Sequence, residues 1–180
     1  MTNNEKIIEL MDIFEKAKEK FLKDEKEIIE INVNERTLSA RLMFHLQTIL
    51  LEDKLYREKY KTYSVDCEYN RINEYKIKIL KRYENFEIDD NSDKIRKIFP
   101  DIILHKRKEE DNLIVIEMKK STSNNKDCKE KDRERLKIMT DLNDPNNFNY
   151  TLGVYFEVDT IGNNNHIVEF FVNGKEYKKS

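Results

Sequence analysis

The sequence predicts an α/β domain, and three features of its 180 residues point there. Apolar positions recur at helical spacing through the N-terminal third. Short alternating or continuous apolar runs of strand length fill the middle and the C-terminal part, and one more helical pattern separates them. Charged residues (39%) slightly outnumber hydrophobic ones (38%), yet the chain has nine Tyr and nine Phe, and these aromatics recur inside the strand-like runs, which a disordered chain would not show. With three Gly and two Pro, turn chemistry is left to Asn and Asp.

Residues 4–30 read as an amphipathic helix or helix pair, because Ile7, Leu10, Met11, Phe14, Ala17, Phe21 and Leu22 recur at three- and four-residue steps. That stripe could pack on the rest of the chain or on a second copy. A second helix is expected from an N-cap at Asn34 to about Leu55, with Leu38, Leu42, Leu46 and Ile49 facing inward. Three residues before Leu38 stands Glu35, which places a carboxylate at the head of the inward stripe. Residues 63–71 alternate like a strand, and 72–97 are polar, basic and weakly periodic. Strands are expected at 99–106 and 113–119, joined by a charged turn short enough to make them an antiparallel hairpin. A helix at about 128–142 follows, then strands at 150–158 and 166–173 around an Asn-rich turn. No repeat and no break in composition marks a second domain.

The net charge of -2 hides an uneven distribution. Residues 1–35 hold six Lys and Arg against ten Asp and Glu, residues 54–82 hold nine against four, and residues 94–108 hold six against one. A basic middle beside an acidic N-terminus can give a nucleic-acid face without a basic isoelectric point, although a Lys-rich solvated surface would have the same composition. Cys67 and Cys128 are far apart and in no paired motif, and His45, His105 and His166 are scattered, so a zinc site is not expected. No apolar run is long enough to span a membrane, and the N-terminus lacks the apolar stretch of a signal peptide. A cytoplasmic protein with reduced thiols and no membrane partner is the expectation.

The residues with chemical promise lie at the end of the most apolar run, Leu113 to Met118. A strand buried on both faces is expected there, and into its end the sequence sets Glu117 and Lys119. Side chains repeat every two residues in a strand, so this pair shares a face, roughly 7 Å apart along it. A buried charge needs a partner or a ligand. Asp101, following Pro100, opens the neighbouring strand, and the hairpin can bring its carboxylate beside that of Glu117. Two carboxylates held together call for a cation between them, and an oxygen-only set favours Mg²⁺ or Mn²⁺. With an ammonium at Lys119, such a site suits phosphodiester hydrolysis.

Pro100-Asp101, a strand, a turn and Glu117-Met118-Lys119, with Glu35 upstream on a helix, resemble the PD-(D/E)XK nuclease superfamily, as does the order helix, three strands, helix, strand over residues 34 to about 158. The resemblance implies a restriction-endonuclease-like core, a central mixed β-sheet flanked by helices, in residues 34–180, with residues 1–33 as an N-terminal helical extension. It implies that Asp101 and Glu117 bind the metal, that Lys119 is the catalytic lysine and that Glu35 is an auxiliary carboxylate. It also implies a metal-dependent nuclease, with DNA favoured over RNA as substrate. Members that have lost activity supply the alternative: an inactive nucleic-acid-binding or protein-interaction module on the same fold.

Nucleic acid is expected along Lys76, Lys78, Lys81 and Arg82, with Lys94, Arg96 and Lys97, through phosphate contacts that carry no sequence choice. No base-reading module is recognisable, so specificity would need a homodimer or a partner protein. Glu68, on a strand face with Asp66 and Asn70, is either a further ligand or a solvated residue. Lys120 faces away from Lys119, and His45 is read as a core histidine. His105 is four residues along the strand from Asp101, too far to share its ion. Asp132, Arg133, Arg135 and Lys137 read as a charged helix face, one of which could meet phosphate.

Overall fold

The computed structural model describes residues 2–69, 79–81, 95–97, 99–145 and 148–178, of which 79–81 and 95–97 are described by their backbone alone. Four helices come first: α1 (Asn3–Asp24), α2 (Lys26–Glu30), α3 (Glu35–Glu52) and α4 (Lys54–Lys59). They are followed by β1 (Ser64–Cys67), the pair β2 (Ile79–Lys81) and β3 (Ile95–Lys97), then β4 (Ile102–His105) and β5 (Asn112–Lys120). The chain ends with α5 (Lys126–Thr140), β6 (Leu152–Val158), β7 (Ile167–Val172) and β8 (Lys175–Tyr177). Six strands form one mixed sheet in the order β1-β4-β5-β6-β7-β8, and β2 pairs with β3 apart from it. All neighbours in the large sheet are antiparallel except β5 and β6. That parallel pair needs a long crossover, and α5 supplies it.

Local chemistry accounts for the helix ends. Thr2 and Glu5 form a reciprocal capping box at the start of α1. The Asn34 side chain accepts the Thr37 N–H at 2.8 Å, capping α3 as its sequence suggests. The N-terminal stripe breaks into α1 and α2 at Glu25. It packs on its own sheet: Phe14 meets Phe156 and Phe170 edge-on, and Phe21 meets Phe156. Left-handed turns are taken mainly by Asn, since Asn32, Asn149, Asn164 and Asn173 are four of the six non-glycine residues at positive φ among the described residues.

Three details depart from expectation. The first strand stops at Cys67 rather than about 71, because Glu68 turns at φ 49°. The second helix ends at Glu52, and Asp53 caps the separate helix α4. A short C-terminal strand, β8, pairs with β7.

The sheet separates two cores. Ile102, Leu104, Ile114, Ile116, Met118, Val154 and Phe156 point toward α1 and α3, and Ile103, Val115, Tyr155 and Phe171 point toward α5. The α5 layer lies close over β6 at Gly153, where an added Cβ would stand 3.1 Å from Thr140 Cγ2 and 3.2 Å from Phe171 Cβ. No helix among the described residues is long and apolar enough to cross a membrane.

The close approach at Gly153 makes the seating of α5 sensitive to side-chain volume. Gly153→Val is expected to destabilise the protein by about 1–3 kcal/mol, with Gly153→Ala less severe; the midpoint of urea unfolding checks both.

Candidate active site

The charged groups collect where the C-terminal end of β5, the start of α3 and the middle of α5 meet. On β5, Met118 turns toward α3, within 3.5 Å of the Ser39 hydroxyl. Its neighbours Glu117 and Lys119 therefore face α5, as the period of two requires. Glu117 is 1% exposed. Strand β4 begins at Ile102, opposite Ile116. One residue earlier the Asp101 carboxylate accepts the Met118 N–H at 2.7 Å, which sets it beside Glu117 as the hairpin register implies. Glu35, the first residue of α3, accepts the Lys120 N–H at 3.1 Å and lies 3.5 Å from the Lys119 ammonium. The four residues singled out in the sequence thus converge.

Helix α5 adds two more. Asp132 is 3.0 Å from Lys119 Nζ and also pairs with the Arg135 guanidinium, whose Nε is 3.1 Å from Glu117 Oε1. The Glu117–Arg135 contact lies off the N–H axis, so the buried Glu117 Oε1 and Arg135 Nε make no aligned hydrogen bond, and neither does Asp132 Oδ2. Buried carboxylate oxygens held by ion pairs alone, with no aligned donor, are uncommon and call for a reason. From the sequence alone Asp132 and Arg135 belong to a charged helix face, with no one residue of it singled out for the site. The signal against that was the helical step from Asp132 to Leu136, Met139 and Thr140, all buried, which puts Asp132 at the head of the inward stripe.

Electrostatics follow from this packing. Burial drives Glu117 well above the usual carboxylate range; Asp101 and Asp132 add to the rise, and Arg135 and Lys119 only partly oppose it. Asp101 is raised for the same main reason, burial, against the pull of the Met118 N–H and Lys119. For Lys119 burial alone would lower the pKa, but Asp132, Asp101 and Glu35 together hold it above its ordinary value. With every group ionised, four carboxylates face two cations.

A cation between Asp101 and Glu117 would find a carboxylate oxygen without an aligned donor and an excess of negative charge. Among the described residues, however, no three His, Cys, Asp or Glu side chains stand close enough together to hold a metal ion. The side chains that close the set are Arg135 and Lys119.

The remaining candidates are held elsewhere. Glu68 pairs with Arg36, whose Nη2 is 2.8 Å away. Lys120 reaches the carbonyls of Asn32 and Val33 on the opposite side of β5. His45 is buried with Nε2 2.9 Å from Glu25, and His105 pairs at the same distance with Asp66, which also binds Arg107. Lys76, Lys78 and Arg82 lie outside the described residues, and Lys81 is placed only by its backbone in β2. Beside the site on the α5 face, Glu157 accepts from Tyr155 at 3.0 Å and pairs with Lys129, and Arg133 stacks on Tyr155 while binding Glu169.

Compared with protein-family models, curated proteins and solved structures, the chain matches none.

The raised carboxylates set a sign for pH dependence. A carboxyl whose folded pKa lies above its unfolded value stabilises the fold fully below the unfolded value, and that contribution is lost as pH rises through the folded pKa. The metal-free protein should therefore lose stability from about pH 4.5 upward through this site. Glu117→Gln should flatten the slope between pH 5 and 8, read as unfolding free energy against pH, and an unchanged slope would exclude Glu117 as its source.

Proposed function

We propose that the chain is a divalent-metal-dependent nuclease of the PD-(D/E)XK type, hydrolysing phosphodiester bonds in nucleic acid, DNA before RNA. The observation that carries the reading is Glu117, a carboxylate buried in the sheet with an oxygen held only by an unaligned contact to Arg135, beside Asp101 and on one strand face with Lys119. A buried acid of this kind is costly to stability and is kept where it has work to do.

In this reading Asp101 and Glu117 would hold Mg²⁺ or Mn²⁺, and Asp132 or Glu35 would complete the set directly or through water. The bound cation supplies charge stabilisation at the phosphoryl oxygen and an acidified water. Lys119 keeps its proton, held by Asp132 and Glu35, and so presents a cation on the face where negative charge develops. Glu35 orients that ammonium while its other oxygen is fixed by the Lys120 N–H. The basic run Lys76 to Arg82 supplies the case for a polymer of phosphates as substrate, and the same composition requires binding to weaken steeply with salt.

A second reading has one observation in its favour. Arg135 and Lys119 already face the carboxylates, an arrangement that a binding module without turnover would also tolerate. Metal titration separates the two readings, since the module need bind no cation.

Purified protein with Mg²⁺ or Mn²⁺ is expected to cut plasmid or oligonucleotide DNA. Lys119→Ala and Asp101→Ala should each lower the rate by about 10²-fold or more with an unchanged circular-dichroism spectrum. Variants that cut at the wild-type rate would remove the nuclease reading.

A further inference from the structure

We propose that Arg135 is a resident counter-cation: it fills the charge role of the metal while none is bound, opposes metal entry, and so sets the metal affinity of the site. The inference rests on the metal-site reading above and names a regulation of that same site. Arg135 touches two buried carboxylates at once, pairing with Asp132 on its own helix and standing 3.1 Å from Glu117 on β5. Its hold on Glu117 is by charge without alignment, because Nε and Oε1 are both buried and make no hydrogen bond to each other. The guanidinium donates to Asp132, so it is the unaligned contact to Glu117 that an ion coordinating the same oxygen can displace.

Other features fit an exchangeable cation rather than a structural one. The Arg135 side chain is about a quarter exposed (26%), so it can withdraw without unpacking the core beneath Leu136. Lys119 pairs with Asp132 and Glu35, which leaves Arg135 as the cation paired with Glu117 among the described residues. A guanidinium stays protonated throughout the range in which the protein would work, so proton loss cannot clear it from the site. A dication bound by Glu117 would face this positive charge at close range, where repulsion at a protein-like dielectric far exceeds thermal energy. The guanidinium must then move outward or weaken the ion's binding.

The test is Mn²⁺ titration of the full chain by calorimetry, at fixed low ionic strength, for wild type, Arg135→Gln, Arg135→Met and Arg135→Lys. The neutral variants are expected to bind Mn²⁺ about tenfold more tightly than wild type, and Arg135→Lys, which keeps the charge, to return toward the wild-type affinity. Neutral variants that bind equally or more weakly overturn the role of Arg135 while leaving the metal site standing. A folded wild type and folded variants that all fail to bind Mn²⁺ or Mg²⁺ overturn the metal-site reading itself. If neither neutral variant folds, the wild type decides: the Arg135 Nε–H resonance must shift on saturation with Mg²⁺, and an unshifted resonance overturns the proposal.

Discussion

Parallel pairing of β5 with β6 is the constraint on which the rest of this molecule depends. Two parallel neighbours cannot be joined by a tight turn, so the chain leaves β5 at Lys120, returns along α5 and enters β6 at Leu152. The helix must cover the same sheet face that β5 and β6 present, and Gly153 allows it to come close. Its C-terminal half contributes Leu136 and Met139 to an apolar core with Val115 and Phe171. Its N-terminal half has no such core to join. It lies over the ends of the strands, where Glu117, Lys119, Tyr155 and Glu157 point up at it, and it answers with Lys129, Asp132, Arg133 and Arg135. One face is thus divided into an apolar half that fastens the helix and an ionic half that the helix completes.

The ionic half is poorly optimised for stability. Buried ion pairs offset their desolvation only with good geometry and saturated hydrogen bonding, and this cluster has neither around Glu117 Oε1 and Asp132 Oδ2. Hydrophobic residues of similar size would cover Tyr155 and Val115 at lower free-energy cost. Departures from local consistency of this sort collect at functional sites, and no other pair of buried carboxylate oxygens among the described residues lacks an aligned donor. Other buried acids have been fitted: Asp159 is held below the usual carboxylate range by the N–H groups of Ile161 and Asn165, and Glu25 is lowered by Arg41 and His45. Glu117 and its neighbour Asp101 move the other way.

Much of the site was legible because strand and helix periods are rigid rulers. Residues two apart on β5 had to share a face, so Glu117 and Lys119 could be paired without coordinates. The hairpin brought Asp101 to Glu117, and the stripe of α3 led back to Glu35. What was hidden lay on α5. A helix with as many charges as Lys126–Thr140 presents acids and bases all round, and only its buried positions show which side faces in. Asp132 and Arg135 therefore read with Arg133 and Lys137 as one charged face, from which no single residue can be chosen. Helix α4 and strand β8 were missed for a different reason. Each is under seven residues, too short for a period to emerge, and each forms through tertiary contact, Tyr56 of α4 to Asp12 on α1 and Tyr177 of β8 to Phe170.

The last turn of β5 also explains why Glu35 can serve the site at all. Lys119 and Lys120 are neighbours with opposite directions, one toward α5 and one toward the α2–α3 connection. Lys120 binds the carbonyls of Asn32 and Val33 with its ammonium, while its backbone N–H is accepted by Glu35 Oε1. The start of α3 is thereby tied to the strand end that carries Lys119, by contacts on the far side of the strand. The Glu35 carboxylate is then placed by the backbone of β5, and of the two side chains in this pair the one left to reach is Lys119. A carboxylate in the first turn of any helix is favoured by the helix dipole, so its presence there says little about function. Its attachment to the strand that bears the lysine makes Glu35 part of the same rigid unit as Glu117.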